Sequence, residues 1–456
     1  MEHLSQLDSA FLDLKDRHSA LHIGGIAVFD GPAPTPEEMS LVYERSIALE
    51  PRYRRRMKRA RLGLTRPVWV DDPQYDPEYH LRRTAVAAPG GPEELDRLIG
   101  RIMSVRLDVG RPPWEVWVVE GLAGGRWALL TKLHHSMVDG LGGMSLFTAM
   151  LDSPEPAREP RLLPSRSRTE DLVETAGRQV RAARRAGHAV VAAGLQPRHT
   201  ARAAARTAGG AVEYVRALRP TDPTSLVGPL GTPRRYRTFS VDLADVLAVR
   251  AGLGGTVNDV ALAMVSRGFR ALLLAREERP SAHAVRCLVP VSTRTAGSRT
   301  DGNEVSGLLL DLPVDFADPE VAHSAVVART RALKASHEAE AGQVGVSLAG
   351  VVPPPFFSLG LRLTRRLPQR VLTTVTTNVP GPRRPVHLLG RRMLAFYPYV
   401  PIAERVRIGI ALTSYADHLQ FGITCDRDSV DDADVLVGGI TDGLVELVKI
   451  VEGEPA

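Results

Sequence analysis

The chain has 456 residues, room for two to four domains at roughly 100–200 residues each. Hydrophobic residues make up 44% and charged residues 24%, which excludes a wholly disordered chain, and no apolar run approaches the ~18 residues of a membrane-spanning helix. Lys+Arg at 58 against Asp+Glu at 52 gives a net charge of +6, so an anionic partner has to be considered: nucleic acid, membrane surface or phosphorylated cofactor.

The first twenty residues carry acids and no long apolar region, so no secretory signal is expected. His22–Phe29 (HIGGIAVF) reads as a strand that contains glycines. PRYRRRMKRAR at 51–61 holds seven basic residues and no acid, so it is either a phosphate-contacting segment or a solvated helix face. Pro92 suits a first helical position, Glu93 and Glu94 suit the first turn, and Leu95, Leu98, Ile99, Ile102 and Met103 follow at helical spacing. Glu115–Glu120 and Arg126–Leu133 are β-rich, and GLAGG between them is a hairpin signal. The second strand delivers His134 and His135 at its end. A turn from Gly140 to Gly143 then opens an apolar helical stretch to about Leu151.

Beyond residue 152, Pro, Arg, Ala and Ser dominate. Ser165–Pro220 has eleven Arg and four acids, a local net of +7, and Val173, Ala176, Val180 and Ala183 share one helical face. With another +7 at 51–61, the rest of the chain carries −8. In the last part, Thr256 or Asn258 caps a helix running NDVALAMVSRGFRALLLA. Ala284–Val291 reads as a buried strand ending in VSTR, and Val371–Thr377 as a β-branched strand stopped by VPGP. Val406–Tyr415 and His418–Cys425 read as a hairpin, and a final helix runs from about Asp432 to Val451. The division expected is 1–155, a basic helical connector 156–235, and 236–456. Cys287 and Cys425 form no CxxC, which points to a reducing, cytoplasmic setting without a zinc ribbon.

The sharpest motif is HHSMVDG, with His134, His135, Asp139 and Gly140 between a strand and a helix. A histidine accepts a proton near neutral pH and so suits general-base work on a hydroxyl. An acid four residues later can orient a ring or hold the loop, and the glycine permits a tight backbone. No further ligand cluster of metal spacing lies nearby, so no metal is expected. There is no G-x-S-x-G, P-loop or complete GxGxxG. Asn258 and Asp259 suit helix capping or a substrate role, and Asn303 and Asn378 suit turns or a channel lining.

HHSMVDG fits the HHxxxDG signature of CoA-dependent acyltransferases. The whole chain resembles the bacterial wax ester synthase/diacylglycerol acyltransferase family within that superfamily. LSQLDSAFL at 4–12, HIGGIAVFDG at 22–31 and RPPWEVWVVEGLAGGRWALLTKLHHSMVDG at 111–140 carry the resemblance in the first part. NDVALA at 258–263, VPVSTR at 289–294, DGNEVS at 301–306, TNVPGP at 377–382 and LTSYADHLQFGITCD at 412–426 follow in the family's order. Two departures stand out: Pro112-Pro113-Trp114 replaces the family's Pro-Leu-Trp, and Ala20-Leu21-His22 replaces its frequent Pro-Met-His. Neither is expected to touch the proposed base.

The resemblance implies an α/β fold with mixed sheets. Two chloramphenicol-acetyltransferase-like domains would meet at the active site. It implies His135 as general base, with His134 structural and Asp139 ordering the motif loop beside Gly140. We assign Arg294 as the partner of Asp139, and Trp114, Asn303 and Asn378 as substrate-contacting candidates. The implied reaction moves a long-chain acyl group from acyl-CoA, a substrate, to diacylglycerol or a long-chain alcohol, with no cofactor. A condensation-type enzyme or a weakly catalytic lipid-surface protein is the competing reading. The segments 165–220 and 353–370 (PPPFFSLGLRLTRRLPQR) suit peripheral contact with the inner membrane or lipid droplets, from the cytoplasm. Nucleic acid is disfavoured, since aromatic residues are only 5% and no recognition module is evident.

Overall fold

The computed structural model describes residues 2–3, 21–58, 67–137, 145–152, 219–292, 305–335, 370–382, 384–403 and 405–453. Strands in the first half are β1 (Glu2–His3), β2 (His22–Phe29), β3 (Arg55–Lys58), β4 (Val68–Asp71), β5 (Leu81–Ala85), β6 (Trp114–Leu122) and β7 (Arg126–His134). The second half adds β8 (Arg234–Asp242), β9 (Arg286–Ser292), β10 (Val305–Asp311), β11 (Thr374–Pro380), β12 (His387–Leu388), β13 (Arg391–Tyr399), β14 (Ile408–Tyr415) and β15 (His418–Asp426). The helices are α1 (Pro36–Leu49), α2 (Pro77–His80), α3 (Pro92–Ser104), α4 (Ser145–Met150), α5 (Leu243–Leu253), α6 (Val257–Ala275), α7 (Pro319–Ala335) and α8 (Ala433–Glu452).

Two six-stranded mixed sheets dominate. The first has the order β12-β13-β2-β7-β6-β5, the second β10-β9-β11-β14-β15-β8. In the first sheet, alternation sends Ala27, Phe29, Trp127 and Leu129 towards Met39, Val42, Tyr43 and Ile47 of α1. Ile26, Val28, Ala128 and Leu130 face Leu95, Leu98, Ile99 and Met103 of α3 on the other side. The second sheet buries Ile408, Ile410, Leu412 and Phe421 against α6 and α8. Each large apolar side chain so buried contributes about 1.5–3 kcal/mol relative to exposure.

Most local expectations hold. Pro92 opens α3, β6 and β7 form the predicted hairpin, and α8 starts directly after Asp432. Three differ. The segment 51–58 is a 3-10 turn and strand β3, not a helix face, because β3 finds a ladder partner in β4. Strand β11 starts at Thr374 and runs through Pro380, because its parallel pairing with β14 continues to Pro380 opposite Ser414. Residues 387–399, expected in the C-terminal unit, complete the first sheet, where β13 pairs antiparallel with β2. The connector over 156–218 and the apolar-basic segment 353–369 lie outside the described residues.

The close approach of the two neighbouring strands, β13 and β7, explains the glycines of HIGGIAVF. A Cβ on Gly25 would sit 2.2 Å from the Phe396 ring of β13, and one on Gly24 would sit 2.0 Å from the Thr131 carbonyl oxygen of β7. Polar ties fasten the sheets together around this strand. The Gln420 side chain accepts from the Phe396 N–H at 2.6 Å, and the Tyr415 hydroxyl donates to the Met393 carbonyl at 2.9 Å. The buried Asp96 of α3 accepts from the Thr238 N–H at 3.0 Å and its hydroxyl at 2.8 Å. The Arg234 N–H donates to Ser104 Oγ at 2.8 Å. Among the described residues no single helix is long and apolar enough to cross a membrane. The pair α5 and α6 passes on length and composition together, but it is bent by 101°.

Candidate active site

The end of β7 is pinned from both sides. The His134 N–H donates to the Pro113 carbonyl at 2.9 Å, and the His135 N–H donates to the Leu21 carbonyl at 3.0 Å. The chain then turns as a 3-10 helix, His135–Met137.

His134 is buried, opposite His22 of β2. Its Nδ1 accepts from the Ser136 N–H at 3.3 Å and lies 2.8 Å from Ser136 Oγ, so its ring is fixed by its own turn. His22 Nδ1 meets the Met103 carbonyl at 3.4 Å, and its Nε2 accepts from the Leu107 N–H at 3.2 Å. That pattern needs the Nδ1–H tautomer. Burial, then the charge of Lys132, holds His22 well below the usual histidine range. His135 is half-buried, and burial lowers its pKa as well. A histidine in that state is neutral at pH 7 and able to accept a proton.

Behind the motif lies a buried cation. The fully buried Lys132 ammonium donates to the carbonyls of Ile102 at 2.9 Å and Val105 at 2.6 Å, and sits 3.5 Å from the buried Glu115 carboxylate. It thereby fastens the C-terminal end of α3, where a positive charge meets the negative end of the helix dipole. Glu115 also accepts from Trp117 Nε1 at 3.0 Å and lies 3.5 Å from Arg82. On the opposite side, Ser136 Oγ lies 3.4 Å from the sulfur of Met57 in β3. The basic segment around 51–58 therefore abuts the turn that carries His135.

Trp114 has a packing role instead of an open face for substrate. It is fully buried, stacked on His80 with centroids 4.3 Å apart, tilted against Tyr43, and edge-on to Tyr53, whose carbonyl accepts its indole N–H at 2.8 Å. Thr256 is the N-cap of α6. Asp259 closes its capping box, accepting from the Thr256 N–H at 2.9 Å and hydroxyl at 2.8 Å, and it also accepts from the Thr330 hydroxyl at 2.7 Å. Asn258 and Asn378 are brought together: Asn378 Nδ2 donates to Asn258 Oδ1 at 3.4 Å. Asp139, Gly140, Arg294 and Asn303 lie outside the described residues. Among the described residues, no three or more His, Cys, Asp or Glu are grouped to hold a metal.

Near Asp259, the fully buried His323 of α7 has no hydrogen-bond partner for either ring nitrogen among the described residues. Burial lowers its pKa, and the Asp259 charge only partly offsets that. His323→Leu removes two unsatisfied polar atoms, worth about 1–3 kcal/mol at most. A melting temperature that is unchanged or a few degrees higher is expected. A clear fall would mean that the imidazole has a bonding role.

Residues 4–261 match the wax ester synthase/diacylglycerol acyltransferase catalytic domain, and residues 301–448 match the C-terminal domain of the same family. The chain belongs to the wax ester synthase/diacylglycerol acyltransferase family. It is thus an acyltransferase of that family. A protein of Mycobacterium tuberculosis named "probable diacylglycerol O-acyltransferase tgs1" is 41% identical over 99% of this chain and 96% of its own length. The solved wax ester synthase/diacylglycerol acyltransferase of Marinobacter aquaeolei VT8 superposes with a TM-score of 0.71 at 25% identity, covering 99% of this chain and 100% of that one. The first condensation domain of the calcium-dependent antibiotic synthetase shares the fold, with a TM-score of 0.60 at 18% identity over 99% and 96% of the two chains.

Within this family's pattern, both departures fall on the motif's supports. Leu21 and Pro113 supply the carbonyls that hold His135 and His134. The expectation that neither touches the base is corrected: Leu21 reaches it through the backbone. A carbonyl is common to every residue type, which is why the side chains at these positions can change. The supports Lys132, Glu115, His22 and Met57 were missed by motif reading. The one available signal was a lysine set within an apolar strand of a chain that has only five lysines.

Proposed function

We propose that this acyltransferase moves a long-chain acyl group from acyl-CoA to the free hydroxyl of diacylglycerol, and more slowly to long-chain alcohols. The observation that carries the reading is the end-to-end likeness, 41% over 99% of the chain, to a relative named for diacylglycerol acylation. His135 acts as general base. It takes the hydroxyl proton as the acceptor oxygen attacks the thioester carbonyl. The tetrahedral intermediate collapses, the C–S bond breaks, and the CoA sulfur leaves with the proton that His135 returns. The neutral state favoured by burial supports this role. Asp139 orders the motif loop, paired with Arg294, and no cofactor takes part. The enzyme works from the cytoplasm, touching the inner membrane or lipid droplets through the basic stretches at 165–220 and 353–370.

The test supplies long-chain acyl-CoA with diacylglycerol, hexadecanol or no acceptor, and follows thiol release and neutral lipid together. Triacylglycerol formation with stoichiometric thiol release is expected, fastest with diacylglycerol. Thiol release that ignores the acceptor, or acylation of an amine carrier alone, would overturn the reading.

A further inference from the structure

The turn between β13 and β14 places Arg405 and Arg407 beside the stretch 224–228. The Gly228 N–H donates to the Arg405 carbonyl at 3.0 Å, and Val227 bridges to Val406. Neighbouring arginines are matched with acids: Arg276 with Asp432, Arg234 with Asp426, Arg237 with Asp434. Arg405 and Arg407 have no such match among the described residues. Arg407 spends one donor on the Ser225 carbonyl at 2.7 Å. The Nε of Arg405, the Nε of Arg407 and the hydroxyl of Thr224 are buried and unbonded among the described residues.

Among the described residues, the nearby acids Asp426 and Glu278 are already engaged. Asp426 accepts from the Gly231 N–H at 2.8 Å and the Ser429 hydroxyl at 2.6 Å besides facing Arg234, and Glu278 accepts from the Ser225 N–H at 2.9 Å. Burial lowers the Arg407 pKa; Asp426 offsets part of this, while Arg276 and Arg405 add to it. Two half-buried like charges with spare donors cost free energy unless an anion joins them.

We infer that Arg405, Arg407 and Thr224 form a binding site for a phosphate group. A guanidinium fork matches phosphate oxygens, and a hydroxyl completes such a set. The site connects to the motif end of the first sheet. The Asp426 N–H donates to the Arg407 carbonyl, Asp426 faces Arg234, and Arg234 bonds Ser104 at the end of α3, where Lys132 of β7 is anchored. The phosphate source is the 3′-phosphate of a CoA thioester, an identity that rests on the proposed function, or an anionic lipid headgroup.

The probe is adenosine 3′,5′-bisphosphate, titrated calorimetrically into wild type and Arg405→Gln/Arg407→Gln. Roughly tenfold or greater weakening is expected from losing charged hydrogen bonds. With acyl-CoA the double variant should raise KM and spare kcat. With acyl-(3′-dephospho)-CoA, wild type and variant should converge. If the variant keeps nucleotide affinity but no longer co-sediments with phosphatidylglycerol vesicles as wild type does, the phosphate is that of a lipid. Unchanged affinity for both overturns the site. Arg405→Gln alone, at a half-buried side chain with no side-chain hydrogen bond among the described residues, serves if the double variant does not fold. A wild type that binds the bisphosphate yet transfers no acyl group would count against the acyl-transfer reading and leave the site standing.

Discussion

His135→Ala is expected to lower acceptor-dependent thiol release by about 10²–10⁴-fold, the usual contribution of a general base. The variant should remain folded, because this turn keeps the ties made by backbone groups and by His134. The His135 N–H bonds the Leu21 carbonyl whatever the side chain, and His134 is fixed by Ser136. Binding of acyl-CoA should survive, so the loss should appear in kcat. The pH profile gives a second check. The base works only when neutral, so activity falls as pH drops through its pKa. Burial lowers that pKa, which places the acid limb below the ordinary histidine range. Wild-type turnover in a clean His135→Ala preparation would remove the assignment. So would an acid limb above the ordinary range that persists in the variant.

Lys132→Met carries the second large effect, on stability. It strips the buried Glu115 carboxylate of a neighbouring cation and removes the ammonium donor from the Ile102 and Val105 carbonyls. Removing one partner of a buried pair costs about 3–5 kcal/mol when the other charge is left unpaired, and Arg82, 3.5 Å from Glu115, keeps the loss towards the lower end. Burial already lowers the Lys132 pKa, and the Glu115 charge offsets this, so the ammonium depends on its partners. Denaturant melts of the single variant should shift by roughly that amount. Lys132→Met/Glu115→Leu should recover part of it, since an apolar pair needs no compensation. Equal midpoints for Lys132→Met and wild type would show that the ammonium does not hold α3 to β7.

Much of the local structure was legible because its causes are local. Helix α3 follows from Pro92, two acids and a run of apolar residues at helical spacing. The β6–β7 hairpin follows from two β-rich runs around glycines. The place of the histidine pair at the end of β7 was legible too, since the motif follows a β-rich run directly. What stayed hidden depended on partners far along the chain. Trp114 looked like a substrate contact beside the motif, yet His80, Tyr43 and Tyr53 enclose it. Gly25 read only as a glycine within a strand, until β13, some 370 residues later, needed the room, and Gly24 makes way for the Thr131 carbonyl of β7.

The sequence by itself determined the family, the order of most elements and the histidine motif from which a base is proposed, because periodicity, turn chemistry and motif spacing are written within short windows. The tertiary structure alone decided that β13 crosses to the first sheet and that Leu21 and Pro113 hold the two histidines by their carbonyls. It also decided that Lys132 is a buried clamp, and that Arg405 and Arg407 stand without matching acids among the described residues. Those are questions of desolvation and of which distant groups meet. Burial sets whether a histidine is neutral or a guanidinium needs a partner, and burial exists only once the chain has folded.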